Sequence, residues 1–90
     1  MDFEWDDNKA DANERDHAVA FAEAVTVFDD DLAVVAPDPD HSTRELRLVI
    51  LGESEQGRLL IVSYTERGPN IRLISARLAT RRETKDYEDG

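Results

Sequence analysis

The sequence predicts an α+β domain: an antiparallel meander of four to five strands, with two helices before it and one after it. Two apolar runs, residues 59–64 and 71–76, flank an Arg-Gly-Pro-Asn turn at residues 67–70. Gly and Asn tolerate a positive φ and Pro fixes its own φ, so this pattern predicts a β-hairpin. Thr80 and Glu83 then have capping-box spacing, which predicts that a C-terminal helix begins directly after the hairpin.

The first third of the chain predicts a short strand and two helices. Phe3 and Trp5 are two positions apart, so both side chains face the same side of a strand. Either Asp6 or Asp7 can cap the N-terminus of a first helix that runs to about residue 17. A second helix follows from four apolar residues spaced i, i+3, i+4 and i+7, namely Phe21, Ala24, Val25 and Phe28.

Two polar residues interrupt the apolar face of the first predicted helix. Ala10, Asn13 and His17 lie at i, i+3 and i+7 and therefore share one face. We expect Asn13 and His17 to hydrogen-bond each other or the nearby backbone. We therefore expect His17 to be a core histidine whose hydrogen bonds are satisfied, in preference to a catalytic residue.

Two further strands complete the predicted sheet. Aspartates at 29–31 end the second helix, and residues 32–36 form a short apolar strand. The Pro-Asp repeat at 37–40 stops that strand, because proline cannot donate to a β-ladder. Residues 44–51 form the next strand, and the polar loop 52–58 leads into the hairpin. The predicted order is β-α-α-β-β-β-β-α.

The composition excludes several classes of function. Residues 1–90 make one small domain without cysteine, and hence without a disulfide or a thiolate nucleophile. No apolar run approaches the ~18 residues of a membrane span and the acidic start is unlike a signal peptide, so we expect a cytoplasmic protein. The acidic clusters lack the glycine and terminal glutamate of a calcium loop, so we expect solvated charge, with no metal and no cofactor. His41 is expected to be a solvated loop residue.

The charge is distributed unevenly. The net charge is −10, with −11 in residues 1–45 and +1 in residues 46–90. This balance argues against a general nucleic-acid binder, whose non-specific affinity comes from neutralising phosphates. The acidic residues of the first half have two alternative explanations. They serve solubility or adaptation to salt, or they mimic nucleic acid towards a basic partner. Cationic side chains lie on or beside the hairpin and last helix, where we expect any chemistry: Arg67, Arg72, Arg77, Arg81, Arg82 and Lys85.

A series of short motifs extends over nearly the whole chain: Phe3-Glu4-Trp5-Asp6, Lys9-Ala10, Asn13, His17, Phe21, Glu23-Ala24, Val27-Phe28-Asp29-Asp30, Pro37-Asp38, Gly52, Tyr64-Thr65-Glu66-Arg67, Ile71-Arg72-Leu73-Ile74-Ser75-Ala76-Arg77, Ala79-Thr80, Glu83 and Tyr87. In this order and spacing they resemble the BrnT family of toxins. Ala18 stands where that family usually has glycine, so the turn that ends the first helix is less favoured here.

The resemblance implies a fold and an activity. BrnT proteins are toxins of bacterial type II toxin–antitoxin pairs, have a RelE-like fold and cleave RNA to arrest translation. A BrnA antitoxin neutralises them, and operator DNA is contacted only through that antitoxin. The resemblance thus implies a metal-independent endoribonuclease that forms a heterotetramer with its antitoxin and is a monomer or weak dimer alone. The alternative is a catalytically weak module that acts mainly in the antitoxin complex, where it represses its own promoter.

The candidate site residues follow from the chemistry of RNA cleavage. Arginine suits the phosphorane, because its planar guanidinium meets two phosphate oxygens and stays charged. We expect Arg67, Arg72 and Arg77 to bind the scissile phosphate. Because Arg72 and Arg77 are five positions apart, a regular strand would point them to opposite faces. Each arginine could instead form a surface ion pair.

The remaining candidates would transfer protons or bind RNA. Glu66 or His17 would act as base or acid, and Tyr87 would donate a proton or stack on a base. Each has a structural alternative: a solvated strand end for Glu66, a core position for His17 and a packing role for Tyr87. The cations expected to grip flanking phosphates are Lys9, Arg81 and Arg82.

Overall fold

The computed structural model describes residues 1–38 and 46–90. Its centre is a five-stranded sheet in the order β1-β5-β4-β3-β2. The strands are β1 Asp2–Glu4, β2 Val34–Pro37, β3 Arg47–Glu53, β4 Leu59–Arg67 and β5 Asn70–Leu78. The helices are α1 Asp7–His17, α2 Phe21–Val25 and α3 Arg81–Asp89, with a 3₁₀ turn at Thr26–Asp29 directly after α2. The predicted α+β fold with helices at both ends is confirmed.

Four strands pair antiparallel as a meander, and β1 adds a parallel strand at the edge of β5. The β1 register joins Phe3 to Ile71 and Glu4 to Arg72. The second strand of the C-terminal hairpin therefore pairs with a strand from the N-terminus of the chain. This long-range pairing brings Glu4 beside Arg72, although 68 positions separate them.

The core lies between the sheet and the first two helices. Phe21, Ala24 and Val27 pack against Val62 and Leu73, and none of these side chains is more than 2% exposed. Aromatic rings close the edge of this core: the Phe3 ring centroid lies 5.1 Å from that of Phe28, and that of Trp5 lies 5.8 Å from that of Phe21. Phe3 and Trp5 thus face the same side, as their spacing predicts.

A β-bulge changes which residues of β5 face the core. Ser63 pairs with Ser75 but the next pair is Tyr64 with Leu73, so Ile74 is an extra residue on β5. The extra residue shifts the alternation by one position. Leu73 and Ala76 are consequently both buried in the core, although a regular strand would separate them.

The bulge also corrects the predicted separation of two arginines. Arg72 pairs with Thr65 and Arg77 pairs with Ile61, which share one face of the regular strand β4. Arg72 and Arg77 therefore lie on the same face, opposite the core. We call this the arginine face; its strand residues include Arg47, Val49, Leu51, Ile61, Ser63, Thr65, Arg67, Asn70, Arg72, Ser75 and Arg77.

The helix ends show how local chemistry ends each element. The Asp6 carboxylate accepts hydrogen bonds from Asn8 N and Lys9 N at 2.8 and 3.1 Å and caps α1. Ala18 ends α1 in the left-handed conformation, with φ 57°, and donates to Glu14 O. At α3 both bonds of the predicted capping box form: Glu83 N donates to Thr80 Oγ1, and Thr80 N donates to Glu83 Oε1.

Four other predictions need correction or fall outside the described ranges. The aspartate run is not simply solvated charge, because Asp30 Oδ2 accepts from Glu53 N at 2.8 Å and Asp30 Oδ1 accepts from Leu32 N at 2.9 Å. That turn delays β2, which begins at Val34 instead of residue 32. His41 and the start of the strand predicted from residue 44 lie outside the described residues. None of the described helices has the length and apolar character needed to cross a bilayer.

Candidate active site

One end of the arginine face is built around Arg72. Its Nη1 donates to Glu4 Oε2 at 2.8 Å, and Asn70 Nδ2 donates to Glu4 Oε1 at 3.3 Å. About a third of each side chain in the Arg72–Glu4 pair is exposed. The hydrogen bond from Arg72 lowers the pKa of Glu4, helped by Asn70 and by the charge of Arg67. Glu4 is thus held as a carboxylate that fixes the direction of the Arg72 side chain.

The other end is built around Arg77. Its two terminal nitrogens donate to the two carboxylate oxygens of Glu83 at 2.8 and 2.9 Å, a bidentate pair. Glu83 Oε1 also accepts from Thr80 N, so the residue that caps α3 also orients Arg77. The bond from Arg77 lowers the pKa of Glu83 to about 2, and the same bond raises the pKa of Arg77.

A groove of about 360 Å³ lies beside Arg77 on the same face. Its floor is formed by Val49 and Ile61 together with the hydroxyl side chains of Ser63 and Ser75. Its full lining is Pro37, Asp38, Val49, Ile61, Ser63, Ser75, Arg77 and Glu83. Ser75 lies between Arg72 and Arg77 along β5. The two arginine Cα atoms are about 13 Å apart, because the bulge leaves four rungs of roughly 3.3 Å between them.

Arg67 lies at the hairpin end of the same face. It is exposed and pairs in register with Asn70, one of the residues that hold Glu4. All three arginines predicted to bind the scissile phosphate therefore share one face of the sheet. Arg72 and Arg77 each form an ion pair with a carboxylate, Arg72 with Glu4 and Arg77 with Glu83.

Comparison with known proteins identifies the family to which this geometry belongs. A family model described as "Ribonuclease toxin, BrnT, of type II toxin-antitoxin system" matches residues 5–83. The chain belongs to the BrnT family. The 1.1 Å crystal structure of the Brucella abortus ribonuclease toxin BrnT is similar, with a TM-score of 0.71 and 25% sequence identity over 90% of this chain and 99% of that one. No curated protein sequence matches the chain significantly. Membership indicates a ribonuclease toxin that has an antitoxin partner.

Two residues expected to serve the BrnT site lie on the opposite side of the sheet. Lys9 and His17 are exposed on α1, which packs on the core side: Asn13 of that helix bonds to Ala76. His17 is not a core histidine, and among the described residues Asn13 bonds to backbone atoms alone. His17 is the last residue of α1, directly before the left-handed turn at Ala18, and its side chain is exposed there. The structure does not bring these two side chains to the arginine face.

Glu66 and Tyr87 are also directed away from the paired arginines. Glu66 pairs with Ile71, whose side chain faces the core, so Glu66 lies on that side at the exposed end of β4. The Tyr87 hydroxyl donates to Asp30 Oδ2 at 2.7 Å, and this bond raises the pKa of Tyr87 to about 12. Tyr87 therefore ties α3 to the body of the domain.

Arg81 and Arg82 lie in the first turn of α3, beside Glu83, and both are exposed. They are the predicted RNA-binding residues that lie closest in sequence to the Arg77 pair. Within residues 1–38 and 46–90, no group of three or more His, Asp or Glu side chains is arranged to hold a metal ion.

Sequence reasoning missed four residues of this face. Glu4 and Glu83 hold the arginines, while Ser63 and Ser75 line the groove. Glu83 carried a detectable signal, because a capping-box glutamate six residues after an arginine is close enough to reach it. Ser63 and Ser75 carried no such signal, because counting back from the turn at residues 67–70 places residue 74 opposite Ser63, and only the bulge brings Ser75 there. Glu4 carried no local signal, because its partner comes from the other end of the chain.

Proposed function

We propose that this BrnT protein cleaves RNA without a metal ion on the arginine face, and that its antitoxin neutralises it by blocking that face. The observation that carries the proposal is the placement of Arg72 and Arg77 on one face, on either side of Ser75. Family membership supports the reaction, and the positions of the guanidinium groups support its location.

Cleavage by the 2′-hydroxyl forms a phosphorane that carries more negative charge than the substrate phosphate. Guanidinium groups placed beforehand stabilise that charge without having to reorganise, which is often the largest catalytic contribution. Arg77 uses two terminal nitrogens for Glu83, and Arg72 uses one for Glu4. A guanidinium has five N–H donors, so each arginine keeps donors for a phosphate while its carboxylate stays in place.

The carboxylates serve chiefly to position the arginines. A lowered pKa makes Glu4 and Glu83 weak bases at neutral pH, which makes them poor acceptors for the 2′-hydroxyl proton. The high pKa of Tyr87 and its bond to Asp30 make it a slow proton donor. We therefore propose that most of the rate enhancement comes from charge stabilisation by Arg72, Arg77 and Arg67, with Arg81 and Arg82 binding flanking phosphates.

The test is single-turnover cleavage of an unstructured RNA by purified protein free of antitoxin. Arg72→Ala and Arg77→Ala should each slow cleavage by about 100-fold or more, the usual cost of one donor to a developing anion. Arg15→Ala is the matched control, because Arg15 is an exposed arginine of α1 that pairs with its neighbour Asp16. Chelation of divalent ions should leave the rate unchanged. Equal rates for all three variants would refute the proposal.

The antitoxin partner is proposed to be a BrnA-like protein that contacts operator DNA on behalf of a heterotetramer. Exposed aliphatic side chains at the β2 edge of the sheet offer such a partner an apolar surface: Val34 and Val35 are 44% and 51% exposed. Co-expression with the neighbouring antitoxin gene should relieve growth arrest. The mass of the purified complex would then give its stoichiometry.

One observation favours a second candidate, a catalytically weak module that mainly serves the antitoxin complex. Each arginine that carries the first proposal already binds a carboxylate, in a chain of net charge −10. If RNA must compete with those carboxylates, cleavage is slow. Under this alternative, wild-type protein and Arg77→Ala leave RNA equally intact, while both still bind the antitoxin.

A further inference from the structure

The groove beside Arg77 joins apolar surface to two hydroxyl groups in a single row of the sheet. Val49, Ser63 and Ser75 are neighbours across β3, β4 and β5, and Ile61 belongs to the next row. These four side chains are half-buried. The floor of the groove is therefore flat, partly apolar, and reached from the same side as the arginines.

Within residues 1–38 and 46–90, the fold makes no use of the two serine hydroxyls. Among the described residues, no hydrogen bond engages the Oγ atom of Ser63 or of Ser75, whereas the Thr65 hydroxyl on the same strand donates to Leu46 O at 3.0 Å. A hydroxyl can both donate and accept. Two such groups side by side on one face of the sheet can therefore hydrogen-bond the edge of a planar polar ligand.

The charged residues around the groove favour an uncharged ligand inside it. Arg77 is the one cation in the described lining of the groove, and Glu83 binds it through both carboxylate oxygens, so the lining offers no excess positive charge to a phosphate placed inside. Arg77 lies at one end of the groove, and Arg72 lies beyond Ser75 on the same face. Phosphates are thus attracted to the ends of the groove, while its floor suits the uncharged part of a nucleotide.

We propose that this groove is a base-binding subsite, in which an unpaired nucleobase of the RNA packs on Val49 and Ile61 while Ser63 and Ser75 hydrogen-bond its edge. Single-stranded RNA is usually read in this way, by contacts to bases that are free of a partner strand. The inference rests on the proposed ribonuclease function and adds to it the residues that choose the cleavage site. Ser63 and Ser75 set specificity and take no part in the chemical step.

Sequencing the cleavage products of a random-sequence RNA tests the proposal. Wild-type protein should prefer one base, or one pair of bases, at a fixed position from the cut. Ser63→Ala/Ser75→Ala should reduce that preference by about three- to tenfold, the value of a hydrogen bond or two, while cleavage at disfavoured sites changes little. Ser75→Thr keeps a hydroxyl at the same place and should retain the preference.

Two outcomes of that assay would overturn the proposal. An unchanged preference in the double variant would show that the serines do not read the base. A uniform drop at every site would show that they act on the sugar or the phosphate. If the double variant keeps its preference but escapes neutralisation by the antitoxin, the groove belongs to the antitoxin and the proposal is wrong.

Nucleoside binding tests the subsite even if the protein cleaves no RNA. Adenosine, guanosine, cytidine and uridine would each be titrated into ¹⁵N-labelled wild-type protein, with ribose 5-phosphate as the control without a base. At least one nucleoside should shift the amide signals of Ser63 and Ser75, with an affinity three- to tenfold weaker in the double variant. No shift with any nucleoside, or an equal shift with ribose 5-phosphate, would refute the subsite. Binding without RNA cleavage would refute the proposed ribonuclease function alone.

Discussion

Replacing Asn13 with alanine should remove a large part of the stability of the domain. The Asn13 side chain is 7% exposed and makes three hydrogen bonds, donating to Val19 O at 2.9 Å and to Ala76 O at 2.8 Å and accepting from Ala76 N at 3.0 Å. Strand β1 reaches only as far as Arg72 along the edge of β5. The Asn13 amide therefore acts as a substitute for a missing strand residue opposite Ala76.

The expected loss follows from these contacts. Each hydrogen bond contributes about 1 kcal/mol, and the variant also leaves buried backbone groups of Ala76 without a partner, so Asn13→Ala should cost about 3–5 kcal/mol. A domain of this length has a free energy of unfolding of roughly 5–13 kcal/mol. Asn13→Asp keeps the shape but loses both donors and buries a carboxylate against two carbonyl groups, so it should be at least as damaging at neutral pH.

Urea denaturation followed through the fluorescence of Trp5, whose ring packs edge-on against Phe21, measures both losses. Asn8→Ala is the matched control, because Asn8 lies in the same helix with an exposed side chain. Its free energy of unfolding should change by less than about 0.5 kcal/mol. A loss below about 1 kcal/mol for Asn13→Ala would contradict the role given to this side chain.

Three further substitutions test other parts of the structure. Ala18→Gly should raise the free energy of unfolding by about 1 kcal/mol, seen as a higher melting temperature, because Ala18 has φ 57° and glycine adopts that conformation without strain. Gly52→Ala should lower it by about 1–3 kcal/mol in the urea titration, because a Cβ there would lie 2.8 Å from Cγ1 of the buried Val27. Glu83→Gln should make the free energy of unfolding depend less on pH below about pH 5. The pKa of Glu83 is about 2 in the folded protein, below its unfolded value. The stabilisation by Glu83 is therefore complete above about pH 5 and disappears as the pH falls towards 2.

The elements set by local chemistry could be predicted from the sequence. The hairpin turn was recognised from Gly68 and Asn70, and the structure gives Gly68 a φ of 57°. The capping box at Thr80 correctly placed the start of α3. Each of these signals lies within a few residues of the feature that it predicts, so neighbouring strands have little influence on it.

The bulge at Ile74 could not be predicted in this way, because it arises from the pairing of β5 with β4. Counting alternate residues assumes a regular strand and separates Arg72 from Arg77, whereas the extra residue brings them to the same face. The pairing of Arg72 with Glu4 depends on β1 joining the sheet from the other end of the chain. The site thus depends on contacts that exist only after folding, which local patterns do not encode.

The most direct test of this account is to locate RNA on the folded protein. A short RNA with 2′-O-methyl groups, which cannot be cleaved by attack of its own hydroxyl, would be titrated into ¹⁵N-labelled protein. We predict the largest amide shifts at Ser63, Arg72 and Arg77, with the α1 residues Lys9 and His17 unchanged. Shifts centred on α1, with none on β4 and β5, would show that RNA binds the helical side of the sheet and would contradict the account.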